Sequence, residues 1–238
     1  MRKLMIVTVL SAAMLYGWQD TVRQAIARNV FVSAQDAAPA KFIWKWDTII
    51  DLAALPYSLV RYRETGLETQ WYRNGSGFAV SRNYVLTDLH VVKRARSDTI
   101  TANGLKARLT TACPEQDIAL LTISNGPNVP FALLANALPN MDLPVFTVGN
   151  PNGKRNRVSF GKVLKIGRDA DLAHIDLLIA NAKTTYGSSG GGLYSNKGIV
   201  LGMEEGGNGD RRHPQSFYIP GLAIRQCLQR KGYGFLLQ

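Results

Sequence analysis

Short runs rich in Val, Ile, Leu, Thr and Tyr recur along most of this chain, separated by Gly, Asn, Asp or Pro. The runs are SLVRYRE, GFAVS, YVLTD, IALLTIS, VFTVGN, RVSFGKVLKIG, HIDLLIA, GIVLGM and SFYIP. Runs of this length and spacing are typical of strands joined by short turns. The pattern therefore predicts an all-β fold, an antiparallel sandwich or barrel, rather than alternating β-α units.

The two ends of the chain depart from this β pattern. Residues 4–18 (LMIVTVLSAAMLYGW) follow a basic Met-Arg-Lys start and are uncharged, like the apolar core of a signal peptide. A small-residue cleavage site does not follow directly, so this hydrophobic helix is either a signal or an uncleaved membrane anchor. Both interpretations place the rest of the chain in a periplasmic or other extracytoplasmic space, whereas a buried first helix is the alternative. At the other end, residues 221–231 predict a helix capped by Gly232.

The segment between the anchor and the strand-like runs is polar at first and then rich in Ala and Pro. Residues 19–36 predict a polar helix that fades into a linker near residues 37–40, and residues 47–55 predict a short helix. We therefore divide the chain into a signal or anchor segment with its linker (residues 1–40) and one folded domain (residues 41–238).

The net charge of +11 is the unusual feature of the composition. Basic clusters could face nucleic acid or an anionic membrane, but no nucleic-acid-binding motif accompanies them. A solvated basic surface is the simpler interpretation, and we expect no specific nucleic-acid partner. Cys113 and Cys227 lack the spacing of a zinc site, so we expect no metal and no cofactor. The two thiols could pair in an oxidising compartment, although we favour two separately buried thiols.

The segment TTYGSSGGGLYS raises the main functional question, because a Gly/Ser tract is usually a loose linker. A serine nucleophile needs a base and an acid that orients the base. The chain has three histidines, and His90 follows the strand-like run YVLTD directly. Asp117 leads into the run IALLTIS, while Asp88, Asp98 and Glu115 are the other acids near in sequence.

Five segments in consistent order resemble the trypsin-like (chymotrypsin-fold) serine proteases, most closely the HtrA/Deg-type branch. They are GSGFAVSRNYVLTDLHVV, QDIALLTI, VGNPNG, GSSGGGL and FYIPGLAI. The resemblance implies two six-stranded antiparallel β-barrels with the active site in the cleft between them. It places barrel one at about residues 56–135, barrel two at about 140–222 and the C-terminal helix at 221–231. The residues after Met203 are too few for the PDZ domain that HtrA proteins usually carry.

The resemblance also implies a role for each site residue. Ser189 would be the nucleophile, because two glycines follow it and Ser188 occupies the variable position of the motif. His90 would be the base and Asp117 the residue that orients it. The backbone N–H groups of Gly187 and Ser189 would form the oxyanion hole. Gly192 departs from the family pattern, since many relatives have proline there.

Substrate selection is expected to depend on two segments near the nucleophile. The resemblance implies that the strand from Met203 to Gly206 pairs with the substrate backbone. Relatives of this branch usually accept aliphatic side chains, which we favour here; Glu204 or Glu205 could instead attract a basic one. Strand residues of this kind often point to solvent. The expected pocket walls are Thr184, Thr185, Tyr186, Phe217 and Tyr218.

The sequence thus predicts a serine endopeptidase that acts on a protein or peptide substrate. Three alternatives stay open: a catalytically silent scaffold with the protease fold, an esterase-type hydrolase, and a basic surface-binding protein. GSSGG also fits the nucleophile elbow of esterases, and Asp210 and His213 follow the serine as that class requires. The oligomeric state is left open.

Overall fold

In the computed structural model, the described residues are 18–35, 72–95, 98–124, 126, 131–168, 175–210 and 212–237. Four sequence predictions lie outside them: most of the hydrophobic segment 4–18, the linker near residues 37–40, the short helix at 47–55 and the strand at 58–64. No helix in the described part of the chain has the length and apolar character needed to cross a membrane.

The first barrel contains six strands in the order β1-β2-β3-β6-β5-β4 and is closed by antiparallel pairing of β1 with β4. Its strands are β1 (Asn29–Gln35), β2 (Tyr72–Ala79), β3 (Tyr84–Asp88), β4 (Thr101–Ala102), β5 (Leu105–Cys113) and β6 (Ile118–Ile123).

Strand β1 corrects the sequence prediction for the segment before residue 41. Residues 18–28 are helical (α1), as predicted, but Asn29–Gln35 is a strand rather than the second half of the predicted polar helix. It pairs with β2 along its whole length, and the side chains of Val30, Val32 and Ala34 are buried inside the barrel. This alternation of buried residues is the period of a strand. Barrel one therefore begins about 27 residues earlier than the predicted position 56.

The second barrel contains the strands β8 to β13, and pairing of β11 with β12 closes it. The strands of this half are β7 (Leu133–Leu134), β8 (Pro144–Gly149), β9 (Arg157–Gly167), β10 (Leu177–Ala180), β11 (Gly192–Ser195), β12 (Ile199–Gly207) and β13 (Ser216–Pro220). The short β7 adds to β12 in parallel. The prediction of two six-stranded antiparallel barrels is confirmed.

One hydrophobic cluster joins the two barrels. It includes Phe78 and Leu86 from the first barrel and Phe146 and Tyr194 from the second, all fully buried. The Phe146 and Tyr194 rings stack with centroids 5.3 Å apart. Close packing of this kind resists small displacements, so the shared cluster fixes how the barrels face each other.

The C-terminal helix α3 spans Gly221–Arg230, close to its predicted position. It buries Ile224, Cys227 and Leu228 against the body of the protein, and Gly232 follows it with a left-handed φ of 82°. A left-handed residue after the last turn is a common helix ending.

Cys113 and Cys227 form a disulfide, with Cα atoms 6.2 Å apart. The preference for two separately buried thiols is therefore wrong. The bridge joins the end of β5 in barrel one to α3, which follows barrel two. The two cysteines are 114 residues apart, and only the tertiary fold brings them together.

Candidate active site

Neighbouring strands bring His90 and Asp117 together. His90 lies in the short helix α2 (Leu89–Val92), directly after β3, and Asp117 directly precedes β6. Strands β3 and β6 are an antiparallel pair whose register places Asp88 opposite Ile118. The end of one strand and the start of the other therefore meet at the same barrel edge, and each carries one of these side chains.

Asp117 holds both the ring and the backbone of His90. Its side chain bonds to His90 Nδ1, and its Oδ1 accepts the His90 backbone N–H at 2.8 Å. The carbonyl of Asp117 also accepts the Leu89 N–H at 2.8 Å. An ionised carboxylate can only accept hydrogen bonds, so Nδ1 carries the proton and Nε2 keeps its lone pair. This is the tautomer that a general base requires.

His90 and Ser189 line one cavity of about 600 Å³. Barrel one supplies part of its wall and barrel two the rest, so the cavity is the cleft between them. The other lining residues are Arg73, Asn74, Val91, Thr184, Thr185, Tyr186, Gly187, Glu204, Glu205, Gly206, Gly207 and Gly209.

The segment around Ser189 is a tight turn packed against other backbone, not a loose linker. Gly187 and Gly190 have φ values of 88° and 87°, in the left-handed region that favours glycine. A Cβ on Gly190 would lie 2.1 Å from the carbonyl oxygen of Ser76. A Cβ on Gly187 would lie 2.9 Å from the carbonyl oxygen of Asn150. Both positions therefore require glycine.

Two backbone amides of the turn have no acceptor in the described part of the chain. The Tyr186 carbonyl accepts the N–H of Asn152 at 2.7 Å. Because a trans peptide is planar, this contact directs the Gly187 N–H to the opposite side. Within the described residues, the N–H groups of Gly187 and Ser189 donate to no protein acceptor, whereas Ser188 N–H donates to Thr185. Backbone N–H groups without a protein acceptor are the kind of donor that can stabilise a developing oxyanion.

A buried polar network that the sequence did not predict fixes this turn to barrel one. Ser76 N–H donates to the Ser189 carbonyl at 2.8 Å, and Ser76 Oγ donates to the Gly187 carbonyl at 2.8 Å. The same Oγ accepts the Asn150 N–H at 2.8 Å, and the Asn150 side chain donates to the Val30 carbonyl at 3.0 Å. Ser76 and Asn150 are fully buried. The sequence feature that could have indicated this network is Ser76 between two glycines in the segment GSGF.

Three more carboxyl groups are buried beside the His90–Asp117 pair: Asp88, Glu204 and Glu205. Both oxygens of Asp88 and Oε2 of each glutamate have no hydrogen-bond partner among the described residues. Burial, followed by the charge of Glu205, raises the pKa of Asp88 well above its usual range. Burial likewise raises the pKa of Glu204, and burial together with the Asp117 charge raises the pKa of Glu205 to about 9. The two glutamates do not point to solvent.

Four of the site groups lie close enough to be considered as metal ligands. The donor atoms of Asp88, His90, Asp117 and Glu205 are all within 4.8 Å of one another. Imidazole nitrogen and carboxylate oxygen are donors that divalent metals accept. His90 Nδ1 and Asp117 are already bonded to each other, so a metal ion bound through both would have to break that contact.

The cavity contains five of the seven residues expected to select substrate. Thr184, Thr185, Tyr186, Glu204 and Glu205 line it. Phe217 and Tyr218 are instead buried in the hydrophobic clusters of barrel two and are not among its lining residues.

The other acids and histidines are placed as follows. His213 is exposed beside Asp210 at 3.5 Å, and Glu115 pairs with Arg230 at 3.1 Å. His174 lies outside the described residues. Gly192 packs directly on Tyr194, whose ring atoms would be 2.6 Å from an added Cβ. A proline, common at this position in relatives, would therefore clash with Tyr194.

Residues 75–203 match the trypsin-like peptidase domain family. Because the match covers more than half of the chain, this protein belongs to the trypsin-like peptidases. It is 28% identical over 213 residues to a probable periplasmic serine endoprotease, DegP-like, from Ectopseudomonas mendocina, covering 82% of this chain and 44% of that protein. A protein of the same description from Brucella suis is 34% identical over 137 residues. The matched region covers 54% of this chain and 26% of that protein.

Solved structures share the fold. The active form of the Rv3671c protease from M. tuberculosis superposes with a TM-score of 0.68 at 20% identity, covering 89% of this chain and 84% of that one. The HtrA-type protease AlgWS227A with a decapeptide superposes with a TM-score of 0.67 at 22% identity, covering 90% of this chain and 67% of that one. This chain spans less than half the length of the curated relatives described above.

Proposed function

We propose that this chain is a serine endopeptidase whose nucleophile is Ser189, with His90 as general base and Asp117 as the residue that orients it. The observation that supports this most strongly is the His90–Asp117 pair on the same cleft as Ser189, beside the backbone amides of Gly187 and Ser189. The all-β fold does not suit the esterase alternative, which needs alternating strands and helices.

The first half of the reaction forms an acyl-enzyme. Ser189 Oγ attacks the carbonyl carbon of the scissile peptide while its proton passes to Nε2 of His90. The carbonyl oxygen becomes an oxyanion that accepts the N–H groups of Gly187 and Ser189. The C–N bond then breaks, and the imidazolium gives its proton to the departing amine.

The second half returns the enzyme to its starting state. Water attacks the acyl-enzyme carbonyl as its proton passes to His90, and the Ser189 Oγ leaves as the imidazolium returns that proton. Throughout, Asp117 keeps the ring in place and stabilises its positive charge. The substrate class that we infer is a protein or peptide whose backbone extends along β12.

The cavity favours a substrate side chain that ends in a hydrogen-bond donor. Val91 is the sole aliphatic side chain among the described lining residues. The buried carboxyl group of Glu204 has an Oε2 without a hydrogen-bond partner among the described residues, and the nearby Thr184 hydroxyl only partly offsets the rise that burial causes in its pKa. A lysine or arginine side chain would supply the missing donor and stabilise the ionised carboxylate. We therefore favour a basic side chain over the aliphatic one expected from the sequence.

We also propose that the folded domain works outside the cytoplasm. Disulfides such as Cys113–Cys227 persist in oxidising compartments, and the matched relatives are described as periplasmic. Membrane anchoring through residues 4–18 rests on their composition alone.

The test is a fluorophosphonate labelling experiment with a casein cleavage assay. We expect a single adduct on Ser189, and loss of both labelling and cleavage in Ser189→Ala. Ser188→Ala is the matched control, because it removes a neighbouring buried hydroxyl and should retain activity. Labelling without peptide hydrolysis would favour an esterase, and no adduct would favour the scaffold.

A further inference from the structure

Glu205 sits at an irregularity of β12 that directs it towards the triad. In the pairing of β12 with β13, Glu204 lies opposite Tyr218 and Gly206 opposite Phe217, which leaves Glu205 as an extra residue. Such a bulge changes the direction of a side chain and is common beside active sites. The Glu205 carboxyl group reaches Asp117: one oxygen of each lies within 4.8 Å of the other, in the same group as Asp88 and the His90 ring.

Two carboxyl groups this close in a site shielded from water are not both ionised, because their like charges repel. Asp117 accepts from His90 twice, through its ring and its backbone, so its oxygens already act as hydrogen-bond acceptors. Glu205 is only 8% exposed and its Oε2 has no partner among the described residues. Of the two groups, Glu205 is therefore the one suited to carry the proton, and its O–H can donate to Asp117.

The surrounding charges agree with this assignment. Asp117 faces Glu205 from the start of β6, and Asp88 faces it from the end of β3. Glu204, its neighbour on β12, also disfavours the ionised form of Glu205. Lys93, just after α2, acts in the opposite direction. Burial and these acids together outweigh Lys93 and raise the pKa of Glu205 to about 9.

We propose that Glu205 is a positioning residue whose protonated carboxyl group donates a hydrogen bond to Asp117 and so holds that carboxylate against His90. This role rests on the proposed function. It requires that Glu205 stays protonated at neutral pH, where most glutamates are ionised. When Glu205 loses its proton, the bond is lost and two like charges are left in contact, so Asp117 no longer holds the imidazole in place.

The test compares the pH profile of kcat for the unmodified chain, Glu205→Gln and Glu205→Ala on one peptide substrate. The sign follows from the pKa of about 9 for Glu205: the donor is present below that pH and absent above it. The unmodified chain should lose kcat above pH 9, by about tenfold per pH unit, as one proton is lost. Glu205→Gln keeps a donor that cannot ionise, so it should remain active at pH 7.5 without the alkaline loss. Glu205→Ala should be at least about tenfold slower at pH 7.5.

A second readout separates positioning from a merely structural role. The NMR signal of the His90 Nδ1 proton, assigned by its loss in His90→Gln, should shift between pH 8 and pH 10 in the unmodified chain and stay constant in Glu205→Gln. Glu115→Gln, which changes an exposed glutamate, is the matched control and should follow the unmodified chain. Thermal unfolding at each pH shows that the variants are folded.

Three outcomes would overturn the proposal. If Glu205→Gln still loses kcat at alkaline pH, a group other than Glu205 causes that loss. An activity of Glu205→Ala equal to that of the unmodified chain would show that Asp117 needs no support. Loss of activity in EDTA, with recovery on adding Zn²⁺, would make the cluster a metal site. If instead Ser189→Ala stays active, the proposed function itself fails, whatever the Glu205 variants do.

Discussion

Replacing Ser76 with alanine tests how the turn from Gly187 to Gly190 is held against barrel one. The change removes one buried oxygen that donates to the Gly187 carbonyl and accepts the N–H of Asn150, both at 2.8 Å. The backbone bond from Ser76 N–H to the Ser189 carbonyl is kept. Alanine therefore releases the turn at Gly187, while the Ser189 carbonyl stays bonded to the backbone of barrel one.

The magnitude follows from the groups left behind. Each buried polar group that loses its partner costs about 1–3 kcal/mol, and here there are two, a carbonyl and an N–H. We expect the free energy of unfolding to fall by about 2–6 kcal/mol, a large part of the roughly 5–15 kcal/mol that stabilises a typical domain. Complete loss of one oxyanion donor costs about 100-fold to 1,000-fold in kcat. A displaced Gly187 amide should therefore lower kcat by about 10-fold to 100-fold, with less change in KM.

The assay is steady-state cleavage of a peptide substrate, with urea unfolding measured on the same samples. Ser195→Ala is the matched control, because Ser195 is also buried and accepts the N–H groups of Lys197 and Ile199, each at 3.3 Å, on another turn. Ser195→Ala should lose stability and keep its kcat. If Ser76→Ala loses stability and also keeps its kcat, the hydroxyl does not position the oxyanion hole.

Two further predictions concern the disulfide and the substrate cavity. In the double variant Cys113→Ala, Cys227→Ala, urea denaturation should show a free energy of unfolding about 4 kcal/mol lower, because the bridge closes a loop of 114 residues; an unchanged midpoint and slope would contradict this. Among peptide substrates that differ in one side chain before the scissile bond, lysine or arginine should be cleaved faster than valine. Glu204→Gln should reduce kcat/KM for the basic substrates by about tenfold or more and leave the valine substrate nearly unchanged. A preference for valine in the unmodified chain would refute the role given to Glu204.

The His90–Asp117 pairing was predictable from the sequence because its signals are local. Each residue lies at the end of a clear β run, and the order of these runs matched a known family. The structure adds the reason for their meeting, since β3 and β6 pair directly and present adjacent ends. The glycines around Ser189 were also informative, because left-handed backbone and close packing leave little choice of residue at Gly187 and Gly190.

Strands without a continuous apolar run were harder to predict. The nine-residue strand β5 (Leu105–Cys113) mixes charged, polar and apolar residues, and most of its side chains remain partly exposed. Its identity as a strand depends on pairing with β6 and β4. Strand β1 was obscured because it follows a helix directly and pairs with β2, which lies far along the chain.

The buried polar groups could not be predicted because their burial depends on distant segments. Ser76 bonds to Gly187 across 111 residues, and Asn29 bonds to Asn150 across 121 residues. Glu205 looked like an ordinary strand glutamate until the bulge in β12 and the position of Asp117 were both known. A sequence pattern shows which face a strand buries, but not which charged groups share that buried space.

The most direct test of the account is a crystal structure of the protein with a peptidyl phosphonate. We expect the phosphorus bonded to Ser189 Oγ and one phosphoryl oxygen within about 3 Å of the backbone nitrogens of Gly187 and Ser189. We also expect His90 to keep its Nδ1 bond to Asp117 and to direct Nε2 towards the Ser189 oxygen. An adduct on another residue, or a phosphoryl oxygen that contacts neither amide, would contradict the proposed active site.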